Sequence, residues 1–387
     1  MANKRPNKVT NQVIASQRAR ARKDIKAWRT ALQMAENVDR PKRLLLYNLY
    51  DELILDAHLS AEIQRRVLAV LGSKFSVVDS DGETNNDLTN LFKKPWFYQF
   101  MEIAMDSIFW GHSLIQIGEM EDGEIKDIEL VKRRHVIPEK GVFVFRQGDE
   151  KGIIYRDNPE YSDWLIEIGK RDDFGLLNKC TPHILYKRFA QAAWSEHAEI
   201  FGMPLRFGKT NVKDTESLNR MENMLAEMGA AAYAVVDDNE SIEFVETNGG
   251  KGEIYQNLIK GTNDEISKLI NGAVIGDSSE GGSRSKEEVG ERLGKIITKA
   301  DKDNFISLVN FTLIPKLIEH GYPLDGYQLQ FEETKDITEL WEITKGVMEH
   351  YDVKDEFITE TFGIPVNGIK KPAPNPGLNI DPSFFFS

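Results

Sequence analysis

The chain has 387 residues, 41% hydrophobic and 29% charged, and a formal net charge of −13. That apolar fraction supports a real core, in two domains or one elongated subunit, and excludes a disordered chain. The acidic balance argues against a sequence-specific nucleic-acid reader, which spreads a basic face over its folded domain because phosphate neutralisation supplies most of its affinity.

Charge is unevenly placed. Residues 1–43 hold twelve Lys or Arg and three Asp or Glu, a net of +9, which leaves −22 for the rest. With few large apolar residues, Met1 to about Asn37 is expected to be mobile before assembly, with a candidate basic helix at Gln17–Trp28. Leu44–Leu71 has a helical pattern with a candidate break at His58, Leu59 and Ser60, and Phe75–Val78 begins a strand. Pro95 opens an apolar helix, Phe97–Trp110, which Gly111 stops. Short β-rich runs follow at Leu114–Ile117, Ile125–Val131, Val142–Phe145, Gly152–Tyr155 and Trp164–Ile166, with Pro138 and Pro159 in connections, so an antiparallel meander is expected.

A helix from His183 carries Leu185, Phe189, Ala193 and Ile200 on one face and stops at Gly202, Met203 and Pro204. After an extended run, Leu205–Gly208, Asp214 or Thr215 can cap a second helix with Leu218, Met221, Leu225 and Met228 in one stripe. Tyr233–Val236 and Ile242–Val245, separated by Asp237, Asp238, Asn239 and Glu240, have the pattern of a hairpin. A helix over about Glu253–Ile270 returns the chain with Ile254, Leu258, Ile266 and Leu269 as its apolar positions. Two helices thus bracket a small αβ knob, an order suited to a wall element of a ring rather than to an enzyme pocket.

Four glycines punctuate the next loop, Gly272–Ser285, and a helix from Lys286 to about His320 would be roughly 50 Å long if unbroken. Pro315 is expected to bend or end it. Tyr327–Phe331 alternates as a strand, helices are predicted at Leu340–His350 and Lys354–Phe362, and the tail from Lys370 holds Pro372, Pro374, Pro376 and Pro382 before Phe384, Phe385 and Phe386. The class is α+β.

Catalytic patterns are missing. The seven histidines form no HExxH, and Cys180 with His183 supplies two local ligands where a structural zinc wants four. Gly276–Lys286 lacks the GxxxxGK[ST] of a phosphate cradle, there is no GxSxG elbow, and carboxylates such as Glu287 and Glu288 fit an exposed helix face. No cofactor or metal is therefore expected. A single cysteine excludes an internal disulfide and fits a buried small hydrophobe. Apolar stretches are broken by charge well short of the roughly 18–20 residues of a membrane span, and no signal peptide pattern is present, so a membrane channel or receptor is not expected.

The order of elements resembles the Mu-like family of phage portal proteins, as do three segments: AEIFGMPLRFGKTN (Ala198–Asn211), the Gly276–Ser285 loop ahead of a helix rich in Lys, Glu and Asp, and ETFGIPV (Glu360–Val366). The resemblance covers about Pro41–Val366 and implies a ring-forming, non-enzymatic virion protein at the capsid vertex, assembled in the host cytoplasm. Twelve subunits would surround a channel for double-stranded DNA. The implied parts are a basic arm (1–40), wing (41–182), first stem helix (183–201), clip (202–247), second stem helix (248–271), tunnel loop (272–285), long wing helix and strand (286–335), short crown (336–366) and Pro-rich tail (367–387).

The resemblance also implies partners: the terminase large subunit during packaging, the major capsid protein or scaffold, and a head-completion adaptor afterwards. Lys209, Asn211, Lys213 and Asp214 would face the clip partner. Gly276, Asp277, Ser278, Ser279, Gly281, Gly282, Ser283, Arg284 and Lys286 would face DNA. Here GDSSEGGSRS replaces the family's threonine-rich loop. A head–tail adaptor and, further off, a phage DNA-processing enzyme are the alternatives; adaptors are usually shorter and lack a bracketed clip with a long following helix, and an enzyme can work as a monomer or dimer.

Overall fold

The structure is a computed structural model and describes residues 24–118, 120–121, 124–156, 158–201, 206–211, 213–227, 233–236, 252–274, 284–332 and 337–365. It divides into two units, Met1–Phe331 and Glu332–Ser387.

The first unit opens with α1 (residues 24–35), α2 (Leu44–Leu53) and α3 (Ala57–Leu71). This corrects part of the expected mobile arm: Ala31 and Ala35 are buried, and the Trp28 indole N–H donates to Asn178 Oδ1 at 2.9 Å. Residues 1–23 lie outside the described residues. The break expected at His58–Ser60 falls earlier, at Asp56, because the Asp56 carboxylate caps α3 by accepting from the Leu59 N–H.

Next come β1 (Phe75–Val78), α4 (Asn86–Phe92) and α5 (Pro95–Trp110). As expected, Pro95 occupies the first turn of α5, where a missing N–H is harmless, and Gly111 ends the helix with φ 83. Helix α5 is the centre of the core. Its Phe97 meets Phe92, Phe75 and Phe305 with ring centroids at 4.9, 5.2 and 5.9 Å, which ties α4, β1 and a distant helix into one aromatic cluster.

The β-rich stretch comprises β2 (His112–Ile117), β3 (Met120–Glu121), β4 (Glu124–Ile125), β5 (Ile128–Leu130), β6 (Val136–Ile137), β7 (Val142–Phe143), β8 (Ile153–Ile154), the short helix α6 (Pro159–Ser162) and β9 (Leu165–Gly169). It is not one meander. The strands form an antiparallel β5-β2-β9 sheet, a β3-β4 hairpin and an antiparallel β6-β7-β8 sheet. Strand β2 is buried at every position but Gln116, so it takes the central place and pairs with β9 far along the chain.

Helix α7 runs Gly175–Phe201, eight residues earlier than the start expected at His183, with Pro182 inside it. The helix begins where Asp173 Oδ1 accepts from the Gly175 N–H. Gly175 has φ 73, and a Cβ there would lie 2.1 Å from the Phe109 carbonyl oxygen, so only glycine lets α7 start against the end of α5. Beyond α7 lie β10 (Arg206–Lys209), α8 (Thr215–Glu227), β11 (Tyr233–Val236) and α9 (Glu253–Asn271). Strand β11 pairs in parallel with β10, Arg206 opposite Tyr233, so Tyr233–Val236 belongs to a βαβ unit. The expected hairpin partner, Ile242–Val245, lies outside the described residues, as do Gly202–Leu205.

Helix α10 (Arg284–Leu308) continues through a π turn, Val309–Leu313, into α11 (Ile314–Glu319). Pro315 therefore does not end the helix; it stands in the first turn of α11. The wider π turn precedes it and accommodates the residue that cannot donate, and the helix stops at His320–Gly321. Within that turn Asn310 accepts from the Leu329 N–H at 2.9 Å and donates to its carbonyl at 3.1 Å. Leu329 lies on β12 (Gln328–Phe331), whose other edge pairs antiparallel with β1, Phe75 opposite Phe331. One side-chain amide thus stands in for a strand on the open edge.

In the second unit, α12 (Ile337–Met348) and α13 (Asp355–Phe362) pack through Trp341 and Phe362, edge to face at 5.1 Å. The tail from residue 366 lies outside the described residues.

Candidate functional site

Helices α7 and α9 form an antiparallel pair. His197 faces Tyr255 with ring centroids 5.9 Å apart, the Trp194 indole lies against Gly252, and His183 is close enough to Glu265 to help Lys268 lower its pKa. As the residue number falls along α7, its partner's number rises along α9. The knob therefore leaves the pair where α7 ends and α9 begins, and the glycine–serine loop leaves at the far end of α9. Nineteen residues of α9 place these exits about 28 Å apart.

The pair is not uniformly buried. Near the loop exit Leu177, Cys180, Ile184, Ile266 and Ile270 are in the core, and burial pushes the Cys180 thiol up to about 12, as suits an inert apolar filler. Near the knob, Ile254 is 68% exposed, and Leu258 and Trp194 are also exposed. The apolar stripe read along α9 is continuous, yet this subunit covers only its second half.

Polar contacts from α3 hold three helices. At its start Asp56 meets Lys187 of α7 at 2.8 Å with both side chains buried. Burial alone would raise the Asp56 pKa, but hydrogen bonds from Lys187 and the Leu59 N–H hold it below the usual carboxylate range. In the middle, buried Glu62 accepts from Ser267 Oγ at 3.1 Å and from Asn271 Nδ2, while His58 Nε2 lies 2.9 Å from Ser267 Oγ. At its end Arg66 donates to both Asp301 oxygens of α10, at 2.7 and 2.9 Å, and to the Ile270 carbonyl of α9 at 2.6 Å. Sequence reasoning misses these residues because charges on a helix are ordinarily solvated. The available signal is that Glu62 and Arg66 lie four apart within one turn of Leu59, Val67 and Val70, all buried.

On the knob, Lys209 at the end of β10 and Asn211, Lys213 and Asp214 on the connection to α8 are all exposed. Two of them shape that connection: Asn211 Oδ1 accepts from the Lys213 N–H at 3.1 Å, and Asp214 accepts from Ser217 Oγ at 2.7 Å and from the Glu216 N–H at 3.2 Å. The Asp214 pKa is lowered, chiefly by the Ser217 hydrogen bond. Behind the turn Gly208 is buried, and a Cβ there would sit 2.6 Å from Met221 Cγ, which shows how closely α8 lies on its strand. The four residues present two ammonium groups over a rigid cap and no catalytic pair.

Of the expected loop residues, Gly276, Asp277, Ser278, Ser279, Gly281, Gly282 and Ser283 lie outside the described residues, and Arg284 and Lys286 fall in the first turn of α10. Gly272 ends α9 with φ 75, and a Cβ on it would lie 2.7 Å from Ile297 Cδ1. With Ile270 level with Asp301 through Arg66, residues 284–296 extend beyond the end of α9, about 20 Å of helix. Val289, Leu293 and Ile296 on that extension are 56%, 41% and 57% exposed.

The basic stretch before α2 is partly neutralised within the subunit. Arg40 and Lys42 meet Glu150, and Arg43 meets Glu139 at 2.6 Å while donating to the Asp173 and Arg171 carbonyls. Part of the basic excess of residues 1–43 is thus satisfied by carboxylates of the same chain. Among the described residues no cluster of three or more His, Cys, Asp or Glu could hold a metal, and no helix is long and apolar enough to cross a membrane.

Similarity to known proteins extends over the same span. The family described as "Portal protein of Mu bacteriophage" matches residues 47–364. The portal protein of Escherichia phage Mu is 23% identical over 365 residues, 87% of this chain and 70% of that protein. The Mu-like prophage FluMu protein gp29 of Haemophilus influenzae is 21% identical over 246 residues, 58% of this chain and 47% of that protein. Among solved structures, a chain of the virion of a native gene transfer agent particle is 11% identical with a TM-score of 0.48, covering 82% of this chain and 94% of that one. An HK97 family phage portal protein from Corynebacterium diphtheriae is 10% identical with a TM-score of 0.35, covering 79% and 98%.

Proposed function

We infer the role of this chain from its kinship: it belongs to the family of the portal protein of bacteriophage Mu. It is accordingly a structural component of the virion and not an enzyme. We propose that copies of it close into a ring, with twelve subunits the number implied by the family resemblance, around a channel for double-stranded DNA. In this reading α7 and α9 are the stem and the βαβ knob is the clip. Lys209 and Lys213 face the terminase large subunit during packaging and a head-completion adaptor afterwards. Residues 272–285 and Lys286, the last of them at the start of α10, line the channel. The sheet-rich part forms the wing against the major capsid protein or scaffold, and α12 with α13 forms the crown.

The observation that carries this reading is the placement of knob and loop at opposite ends of one antiparallel helix pair, with apolar positions left uncovered on both α9 and α10. A cyclic, head-to-tail contact needs two different patches on each subunit, and Ile254 with Leu258 on one helix and Val289 with Ile296 on another supply them. The acidic excess outside residues 1–43 supports the same reading, since a wall that repels phosphate lets a duplex slide.

Mass photometry and class averages of the full chain test the ring. Closed rings with an axial hole are expected, and only monomers and dimers across protein and salt concentrations would refute it. Deleting Ser278–Ser283 is expected to leave rings intact and impair DNA retention in particles. Lost rings with retention unchanged in whatever particles form would make the loop an assembly element.

A further inference from the structure

Arg66 has an environment that its helix does not require. It sits near the end of α3, yet all its directed contacts go to the two helices on either side of the glycine–serine loop. Nε and Nη2 form a two-pronged bond to the Asp301 carboxylate, 5% exposed, and Nη1 donates to the Ile270 carbonyl in the last turn of α9. The Phe109 ring lies beneath the guanidinium, 6.0 Å from its carbon. A planar fork that satisfies a carboxylate and a helix-terminal carbonyl together fixes both distance and angle between them, which a lysine cannot do. The end of α9 and the base of the α10 extension are thus held by one side chain from a third helix.

We propose that Arg66 is a positioning residue that aims the α10 extension at the channel. This rests on the assignment of the loop region to the channel lining. The neighbouring Glu62 contacts to Ser267 and Asn271 fix α9 against α3 but do not reach α10, so Arg66 adds a polar coupling of the two helices to the close approach of Gly272 and Ile297. Because the pair is buried, the coupling persists at high salt, unlike an exposed ion pair.

The test uses the full chain. Arg66→Met combined with Asp301→Leu removes both charges and leaves neither stranded. Rings should still form, while hydrogen exchange of backbone amides in the last turn of α9 and around Asp301 should speed up about tenfold, the size of effect expected for losing one charge-assisted contact. DNA retention in particles built from the variant should fall. Arg66→Lys keeps the charge and loses the fork, and should lie between the two in both readouts. Unchanged exchange at both helices, with retention intact, overturns the proposal. Faster exchange with full retention overturns its link to the channel, and the deletion of Ser278–Ser283 then shows whether the loop assignment itself has failed.

Discussion

Lys187 offers a sharp test of how the helices are held. Its ammonium lies 2.8 Å from Asp56, and the two side chains are 6% and 8% exposed. Lys187→Met keeps the bulk of the stem but strands a buried carboxylate, which costs about 3–5 kcal/mol. At roughly 2 °C per kcal/mol for a unit of this size, Tm should fall by about 6–10 °C. Adding Asp56→Asn should recover most of the loss, because asparagine caps a helix as well as aspartate and the unpaired charge disappears. The double variant should therefore lie within about 1 kcal/mol of the parent. The parent's advantage over the double variant should also fade in acid: the Asp56 pKa is depressed on folding, so its contribution is present above the unfolded carboxylate value and is lost as pH falls through the folded one. Urea titrations followed by tryptophan fluorescence, at one protein concentration so that assembly is held constant, measure all three proteins. A single variant within about 1 kcal/mol of the parent, or a double variant no better than the single, would refute the reasoning.

Two other contacts yield outcomes from the same physics. Glu167 accepts from Arg156, His112 and Tyr155; burial alone would raise its pKa, but these bonds hold it at about 2. Glu167→Gln should cost about 3 kcal/mol at neutral pH, a difference fully present above about pH 4.5 and lost as pH falls toward 2, so equal penalties at pH 7 and pH 2.5 would count against the assignment. Asn310→Ala leaves the Leu329 N–H and carbonyl without their side-chain partner and should cost about 2 kcal/mol, with faster amide exchange at Leu329; an unchanged exchange rate would show that the amide does not protect the strand edge.

Much of this architecture is legible in the residues because it is written locally. Periodic apolar residues mark α8 and α9, Gly111 marks a helix end, and the alternation at Tyr327–Phe331 marks β12. The failures share a cause in contacts between distant residues. Nothing near Tyr233 announces that its strand partner is Arg206, and the polar turn after Val236 suggests a hairpin instead. The start of α7 is hidden by Pro182, a residue that usually begins or breaks a helix, whereas the deciding feature is the backbone approach of Gly175 to Phe109. The helix break at Asp56 escapes notice because an N-cap contributes no apolar periodicity. Arg43 and Arg66 have the sequence context of surface charges, since a guanidinium surrounded by carbonyls and carboxylates can be recognised only once those acceptors have been brought together.

The distance between the two exits of α9 has a meaning when measured against a nucleic acid. About 28 Å corresponds to roughly eight steps along B-form DNA at 3.4 Å each, somewhat less than one turn of the duplex. A subunit whose α9 lay along the duplex axis would meet, at its two ends, stretches of the same strand rotated from one another by roughly three-quarters of a turn. Contacts at the two ends would then be about a quarter-turn out of phase, so they would not peak together as the duplex advances. In the proposed ring, a rod of that length would even out the path of a duplex without any moving part.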